Sequence, residues 1–245
     1  MSWPSWLPLR EALRPMSPYG APQVPAQASL NTNENPYSPS PALQKAITDA
    51  IEKVAAELNR YPDRDATVLR TKLADYINEL SGTKFSADNI WAANGSNEII
   101  QSIFLAFAQV SVLGFTPSYS MHPLIAKVTG GQWIDGKRNA DFSLNTSDAI
   151  TEIQKTKPTL TFITTPNNPT GGAVTIDEIQ KLADACKSVG GLLVVDEAYA
   201  EFSQEKSAVT LIANNPHVIV IRTMSKAFAF AGARVGYLVS DVAVK

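Results

Sequence analysis

The sequence predicts an α/β fold, a mainly parallel sheet with helices on both faces. Three observations carry this reading. Short, almost unbroken apolar runs near 111–115, 159–164, 192–195 and 217–221 read as strands buried on both sides. Segments with apolar residues at helical spacing separate them. A chain of 245 residues, 44% apolar and 18% charged, also has the composition of a soluble globular protein with a sizeable core. Strands alternating with helices are the pattern of a parallel sheet whose crossovers cover both faces.

The first 41 residues hold nine of the 16 prolines, so residues 1–40 are expected to form an extended arm rather than a packed element. The arm carries Trp3, Trp6 and Tyr19, which favour contact with a surface, either the chain's own or that of a partner subunit. Ser40-Pro41 opens a helix, Ser as N-cap and Pro at the first helical position. An apolar stripe of Leu43, Ile47, Ile51, Val54 and Leu58 follows. A loop at Arg60-Tyr61-Pro62-Asp63 precedes a second helix through Leu69, Leu73, Tyr76, Ile77 and Leu80, ending near Gly82.

From residue 90 the chain alternates strand and helix. Strands are expected at 90–93, 111–115, 132–135, 159–164, 192–195, 217–221 and 235–239. The helices between them pass through Ile99 and Ile103, open near Pro117-Ser118-Tyr119, and cover 147–155 and 176–189. The whole of 41–245 therefore reads as one domain.

Several classes of function are excluded on composition. A net charge of −2 gives no electrostatic case for nucleic acid or an anionic membrane. No apolar run has the length of a membrane span, and the N-terminus lacks the basic start and apolar core of a signal peptide. The single Cys186, in a helical pattern, excludes an internal disulfide framework and fits a reducing compartment. The expectation is a cytoplasmic protein with no metal ligands, no nucleic acid and no membrane partner.

The chemistry-bearing residues fall where strands end, which is where open α/β sheets bind ligands. Gly95-Ser96-Asn97 turns a strand into a helix, so free N–H groups and the helix dipole converge there, as a phosphate requires. Asn168 sits in a loop stiffened by two prolines and two glycines. Asp196 ends a strand near the core edge, where a carboxylate needs a cationic or N–H partner, and Tyr199 follows three residues later. Ser225-Lys226 comes after another strand, with Arg234 eight residues on. A neighbouring cation lowers a lysine's pKa and frees its amine for attack on an aldehyde. Taken singly, each feature also fits a structural part: a Gly-Ser turn, a rigid loop, an ion pair or cap, a solvated lysine. Taken together they suit a flat heteroaromatic cofactor carrying a phosphate, a basic ring nitrogen and an aldehyde, and pyridoxal phosphate fits that description.

At these residues the sequence resembles the fold-type-I pyridoxal-phosphate aminotransferases, and within them the histidinol-phosphate aminotransferases. The resemblance runs from Tyr19 onward. It rests on Asn31-Thr32-Asn33-Glu34-Asn35-Pro36-Tyr37, Asn59-Arg60-Tyr61-Pro62, the 165–171 loop, Asp196-Glu197-Ala198-Tyr199, and 223–226 with Arg234. It implies that Lys226 is the Schiff-base lysine and proton shuttle, and that Asp196 keeps the ring nitrogen protonated. It implies that Tyr199 and Asn168 bond the ring's phenolic oxygen and that Tyr119 stacks on the ring. Gly95, Ser96, Asn97, Thr223, Ser225 and Arg234 would cradle the phosphate. Tyr61 would reach the cofactor of a partner subunit in a homodimer, and Tyr19, Asn33, Glu34 and Asn35 would line the substrate side. The implied reaction moves an amino group between glutamate/2-oxoglutarate and histidinol phosphate/imidazole acetol phosphate, a step of histidine biosynthesis. Two alternatives are an aromatic amino acid aminotransferase or phosphorylated-amino-acid decarboxylase of the same family, and an inactive N-terminal fragment. Members of the family continue well past the position of Lys245, so the chain is expected to be C-terminally truncated. It would contain an incomplete cofactor-binding large domain at 41–245 and lack the small C-terminal domain.

Overall fold

The computed structural model describes residues 3–17, 20, 22, 24–25, 27–28, 30–107 and 111–245; Tyr19, expected on the substrate side, lies outside the described residues. Seven strands form one sheet: β1 (Ile90–Ala93), β2 (Ser111–Thr116), β3 (Gln132–Lys137), β4 (Leu160–Thr164), β5 (Leu192–Asp196), β6 (Val218–Thr223) and β7 (Gly236–Val239). Their spatial order is β1-β7-β6-β5-β4-β2-β3. The run from β3 to β6 is parallel, while β7 is antiparallel to both β6 and β1. The reversal has a simple cause. The twelve residues between β6 and β7 form only a short 3-10 turn, Ala231–Ala233, whereas a parallel return is usually carried by a crossover helix.

The helices are α1 (Pro41–Ala55), α2 (Thr67–Ser81), α3 (Ser96–Phe107), α4 (Met121–Thr129), α5 (Thr146–Thr156) and α6 (Ile176–Ser188). Their starts follow local chemistry. Ser40 Oγ accepts the Leu43 amide at 3.3 Å, with Pro41 in the first turn. Asn145 caps α5 through the amides of Ser147 and Asp148, and Thr175 with Glu178 forms a capping box on α6. Gly82, at φ 64°, closes α2 in the left-handed conformation that a residue without Cβ enters freely.

Side chains alternate across each strand, so every strand supplies two cores. Leu113, Ile163, Val195, Val220 and Tyr237 pack with α2, α5 and α6 on one face. Val112, Phe162, Val194, Ile221 and Leu238 pack with α3 and α4 on the other. This division explains why the strands read as continuous apolar runs: neither face is left to water.

Two expectations meet a different outcome. The apolar stripe on α1 is present but largely uncovered among the described residues: α1 buries no residue, Ile47 is half-buried, and Leu43, Ile51, Val54 and, beyond the helix end, Leu58 stay exposed. The proline-rich arm makes a 3-10 turn at Glu11–Leu13 and sends Arg10 to the Val128 carbonyl at the end of α4, yet Trp3 and Trp6 remain exposed. Two 3-10 turns, Ala200–Phe202 and Ala208–Asn214, also lie beyond what apolar periodicity signalled. Among the described residues no helix is long and apolar enough to cross a membrane.

The packing of β7 against the start of α3 leaves no room for a side chain at Gly236, where a Cβ would overlap the Ser96 amide and the Gly95 backbone. Gly236→Ala should therefore destabilise the fold by about 1–3 kcal/mol, read as a lower midpoint in urea unfolding. An unchanged midpoint would contradict the close approach.

Candidate active site

The carboxyl ends of the parallel strands open onto a cavity of about 910 Å³. β1 contributes through the turn at Gly95 and the first turn of α3. β2 leads to Tyr119, β4 to Thr164 and Asn168, β5 to Asp196 and Tyr199, and β6 to Thr223, Ser225 and Lys226. The loop returning to β7 brings in Arg234, and the arm lays Thr32, Asn33 and Glu34 along the same cavity. Segments following five strands, distant in sequence, thus meet because the sheet points those strand ends the same way.

One end of the cavity is built for an anion. Gly95, at φ 87°, turns the chain so that Ser96 and Asn97 form the first turn of α3 with their N–H groups free. Arg234, itself at φ 56°, lays its guanidinium where a Gly95 side chain would otherwise be. Gly95 accordingly makes the space for Arg234 rather than lining the cavity itself. Thr223 Oγ1 donates to Ser225 Oγ at 3.0 Å and accepts the Ser225 amide at 3.2 Å, so two hydroxyls stand beside the cation. The Tyr119 hydroxyl donates to Asn97 Oδ1 at 3.1 Å, which orients that ring over the same region. Backbone N–H groups, hydroxyls and one arginine are the donor set a phosphate monoester takes.

Deeper in, Asp196 is 2% exposed. Strand alternation turns it toward the α3/α4 side, where its Oδ2 meets His122 Nε2 at 2.9 Å and its Oδ1 accepts the Ala198 amide at 3.1 Å. His122 is a residue the sequence reading missed. Its signal was an ionisable side chain inside the apolar stripe of α4, between Met121 and the pair Ile125–Ala126, on a helix face that had to be buried. Its ring stands edge-on to Tyr119 at 5.3 Å between centroids, so the carboxylate and the aromatic wall share one support.

Lys226 lines the same cavity. Its Nζ donates to the carbonyls of Thr32 at 2.9 Å and Asn33 at 3.1 Å, and lies 5.8 Å from the centre of the Tyr199 ring. Burial lowers its pKa; the Glu34 carboxylate works against that shift and the Arg234 guanidinium adds to it. The Tyr199 hydroxyl accepts the Asn33 side-chain amide at 3.1 Å. Burial raises the pKa of that phenol, which Asn33 opposes and Asp196 reinforces, so it remains a hydroxyl near neutrality. Thr32 is a second residue not anticipated, because its contribution is a backbone carbonyl and carries no side-chain signal.

Two expected residues stand elsewhere. Asn35 points into the Lys226 loop, with its amide 3.5 Å from the Ala227 carbonyl and its Oδ1 accepting the Tyr37 amide at 3.0 Å. It braces the loop rather than lining the cavity. Tyr61 is 102% exposed and outside the chain's own cavity.

The charges around Lys226 give a signed pH prediction. Arg234→Gln should move the pH at which Lys226 reacts with an amine-directed reagent upward, because the repelling cation is gone. Glu34→Gln should move it downward. Mass spectrometry of Lys226 labelling across pH measures both, and shifts of equal sign would contradict the arrangement.

With the geometry in view, the comparisons with known proteins are specific. Residues 25–245 match the family of class I and II aminotransferases. A histidinol-phosphate aminotransferase of Mycobacterium sp. strain KMS is 52% identical over 241 residues, covering 97% of this chain and 63% of that protein. The chain thus spans a little under two thirds of the length of this relative. The crystal structure of histidinol-phosphate aminotransferase from Clostridium acetobutylicum superposes with a TM-score of 0.71 at 26% identity, over 87% of this chain and 60% of that one. The Sinorhizobium meliloti histidinol-phosphate aminotransferase, solved in complex with pyridoxal-5'-phosphate, shares the fold with a TM-score of 0.72 at 24% identity, over 87% of this chain and 56% of that one. The family match over most of the chain and the shared fold agree, and the chain belongs to the class I and II aminotransferases.

Proposed function

We propose that this chain forms the cofactor-binding part of a pyridoxal-phosphate-dependent aminotransferase. The reaction moves an amino group between glutamate/2-oxoglutarate and histidinol phosphate/imidazole acetol phosphate. The single observation that carries the reading is the convergence of an anion seat, a buried carboxylate and a lysine of lowered pKa on one cavity of about 910 Å³. The choice of histidinol phosphate is supported by the likeness to the mycobacterial enzyme. Residues 41–245 serve as the cofactor-binding domain, and the arm at 1–40 reaches the cavity through Thr32, Asn33 and Glu34.

The residues present fit the cofactor. Ser96, Asn97, Thr223, Ser225 and Arg234 would hold its phosphate, Asp196 its ring nitrogen, Tyr199 and Asn168 its phenolic oxygen, and Lys226 its aldehyde carbon. Tyr119 would cover one face of the ring. When bound, pyridoxal phosphate supplies an aldehyde that takes up amines and a protonated ring that accepts the electron pair left at a substrate carbon. Asp196, steadied by His122 and the Ala198 amide, holds a proton at the ring nitrogen. The Lys226 amine, uncharged at lower pH than an ordinary lysine, moves a proton at the substrate's α-carbon. Asn33 and Glu34 face the substrate from the arm. Both substrates use one site in turn, which gives ping-pong kinetics.

A homodimer completes this reading. α1 carries an apolar stripe left largely exposed among the described residues, and Tyr61 projects fully into solvent a few residues further on. A second copy covering α1 would bring Tyr61 to the partner's phosphate seat. A cytoplasmic location fits a biosynthetic transaminase of this kind.

Purified protein mixed with pyridoxal phosphate should develop a visible absorption band that is missing in Lys226→Ala. Asp196→Ala should keep the band and lose roughly 10²–10³-fold in kcat, measured by coupled assay with glutamate and imidazole acetol phosphate. Normal turnover in that variant would remove Asp196 from its role, and preference for phenylalanine over histidinol phosphate would replace the substrate. Ile51→Asp with Val54→Asp should shift the protein from dimer to monomer in sedimentation, and an unaltered dimer would exclude α1 from the interface.

A further inference from the structure

On the sheet face turned away from the cavity lies a buried charged cluster that the proposed chemistry does not use. Along β5 and β6, Asp196 and Thr223 turn toward the cavity, so their neighbours Glu197 and Arg222 turn to the α2/α6 side. Both are buried, Glu197 at 2% and Arg222 at 4% exposure. Arg222 Nε donates to Glu197 Oε2 at 2.9 Å, Nη2 donates to Ser207 Oγ at 3.0 Å, and Nη1 donates to Glu201 Oε1 at 2.9 Å. Glu197 also accepts the Ser207 hydroxyl and the Ala208 amide, each at 2.7 Å.

Glu201 is the middle residue of the 3-10 turn Ala200–Phe202, which begins directly after Tyr199. None of its residues is fully buried and Phe202 is exposed, so packing holds it only in part. Its Phe202 amide returns to the Tyr199 carbonyl at 3.0 Å, which ties the turn to the tyrosine's own backbone. Arg222 therefore grips both sides of Tyr199 in sequence, Glu197 two residues before it and Glu201 two residues after. A buried ion pair yields little net stability compared with apolar residues of the same size, and here one guanidinium ties both acids.

We propose that Arg222, through Glu197 and Glu201, is the positioning residue that sets where the Tyr199 hydroxyl stands in the cavity. The inference rests on the reading of the cavity as a pyridoxal-phosphate site, and Arg222 itself touches neither cofactor nor substrate. The groups that face Arg222 are Glu197, Glu201, Tyr76 from α2, whose hydroxyl is 3.5 Å from Glu201 Oε1, and the buried Tyr237 hydroxyl from β7. Those that face Tyr199 are Asn33, Asp196 and Lys226. With the cofactor bound, a donor on its phenolic oxygen would draw that oxygen's charge away from the Lys226 nitrogen, which would then give up its proton at lower pH. Displacing the Tyr199 hydroxyl raises that pH.

The test is the pH midpoint of the visible absorption of the protein loaded with pyridoxal phosphate, in the unaltered chain and in Tyr199→Phe, Glu201→Ala, Glu201→Gln and Arg222→Lys. Thermal unfolding of each is followed in parallel. Glu201 lies at the edge of the cluster, so its variants leave the Glu197–Arg222 pair intact. Glu201→Ala should raise the midpoint by roughly 0.5–1 pH unit, the worth of one hydrogen bond, in the same direction as Tyr199→Phe. Glu201→Gln, which keeps an acceptor oxygen, should restore most of the shift, and Arg222→Lys should fall between. A midpoint unmoved in Glu201→Ala, with only the unfolding temperature lowered, overturns the inference and leaves the cofactor site standing. An unmoved midpoint in Tyr199→Phe overturns it as well. Absence of any band in the unaltered protein overturns the cofactor reading, and this inference with it.

Discussion

Side chains on a β-strand must alternate between the two faces of the sheet, and in this molecule that constraint is applied at the strand ends, where chemistry and support have to be separated. At the end of β5 it sends Asp196 to the cavity side and Glu197 to the other; at the end of β6 it sends Thr223 to the cavity side and Arg222 to the other. The two strands pair in parallel, with Asp196 opposite Ile221, so the two divisions coincide. Adjacent residues thus serve opposite purposes: one member of each pair faces a polar cavity, while the other is locked into buried ion pairs behind it. A one-residue slip of either strand would exchange the roles.

The same geometry accounts for the cost of placing a carboxylate where Asp196 is. A buried charge without partners is strongly disfavoured, and Asp196 has His122 and the Ala198 amide on its two oxygens. Those partners leave it anchored from the α4 side and still lining the cavity. Arg234 shows a comparable trade. Its left-handed backbone and the missing side chain at Gly95 bring a guanidinium against the first turn of α3, concentrating positive potential where free N–H groups already point. The anion seat is therefore a product of two backbone positions as much as of the side chains that give it charge.

Lys226 illustrates how the arm enters the site. Its amine is satisfied by two backbone carbonyls of the arm, while Asn33 reaches past it to the Tyr199 hydroxyl and Asn35 braces the loop beneath. The two carbonyls are presented by a tight turn, with Thr32 in the turn and Asn33 at φ 52° in the left-handed region. The exposed stripe of α1 belongs to the same end of the chain, and with Tyr61 it makes the N-terminal quarter the part whose apolar surface the sheet does not absorb.

Much of this was legible in the amino-acid sequence. Strand and helix positions followed from apolar runs and caps, because burial on both faces and unpaired backbone ends leave local marks. The residues Ser96, Asn97, Asn168, Asp196, Tyr199, Lys226 and Arg234 were identifiable as polar groups at strand ends, and they do share one cavity. What sequence could not supply was anything fixed by contact between distant elements. His122 behind Asp196, the Thr32 carbonyl on Lys226, and the Glu197–Arg222–Glu201 cluster join residues 21 to 194 positions apart. The reversal of β7 and the uncovered face of α1 are likewise matters of which surfaces meet. Period and propensity are properties of a few neighbouring residues, whereas partnership in three dimensions depends on the register of the whole sheet, and that only the tertiary structure decided.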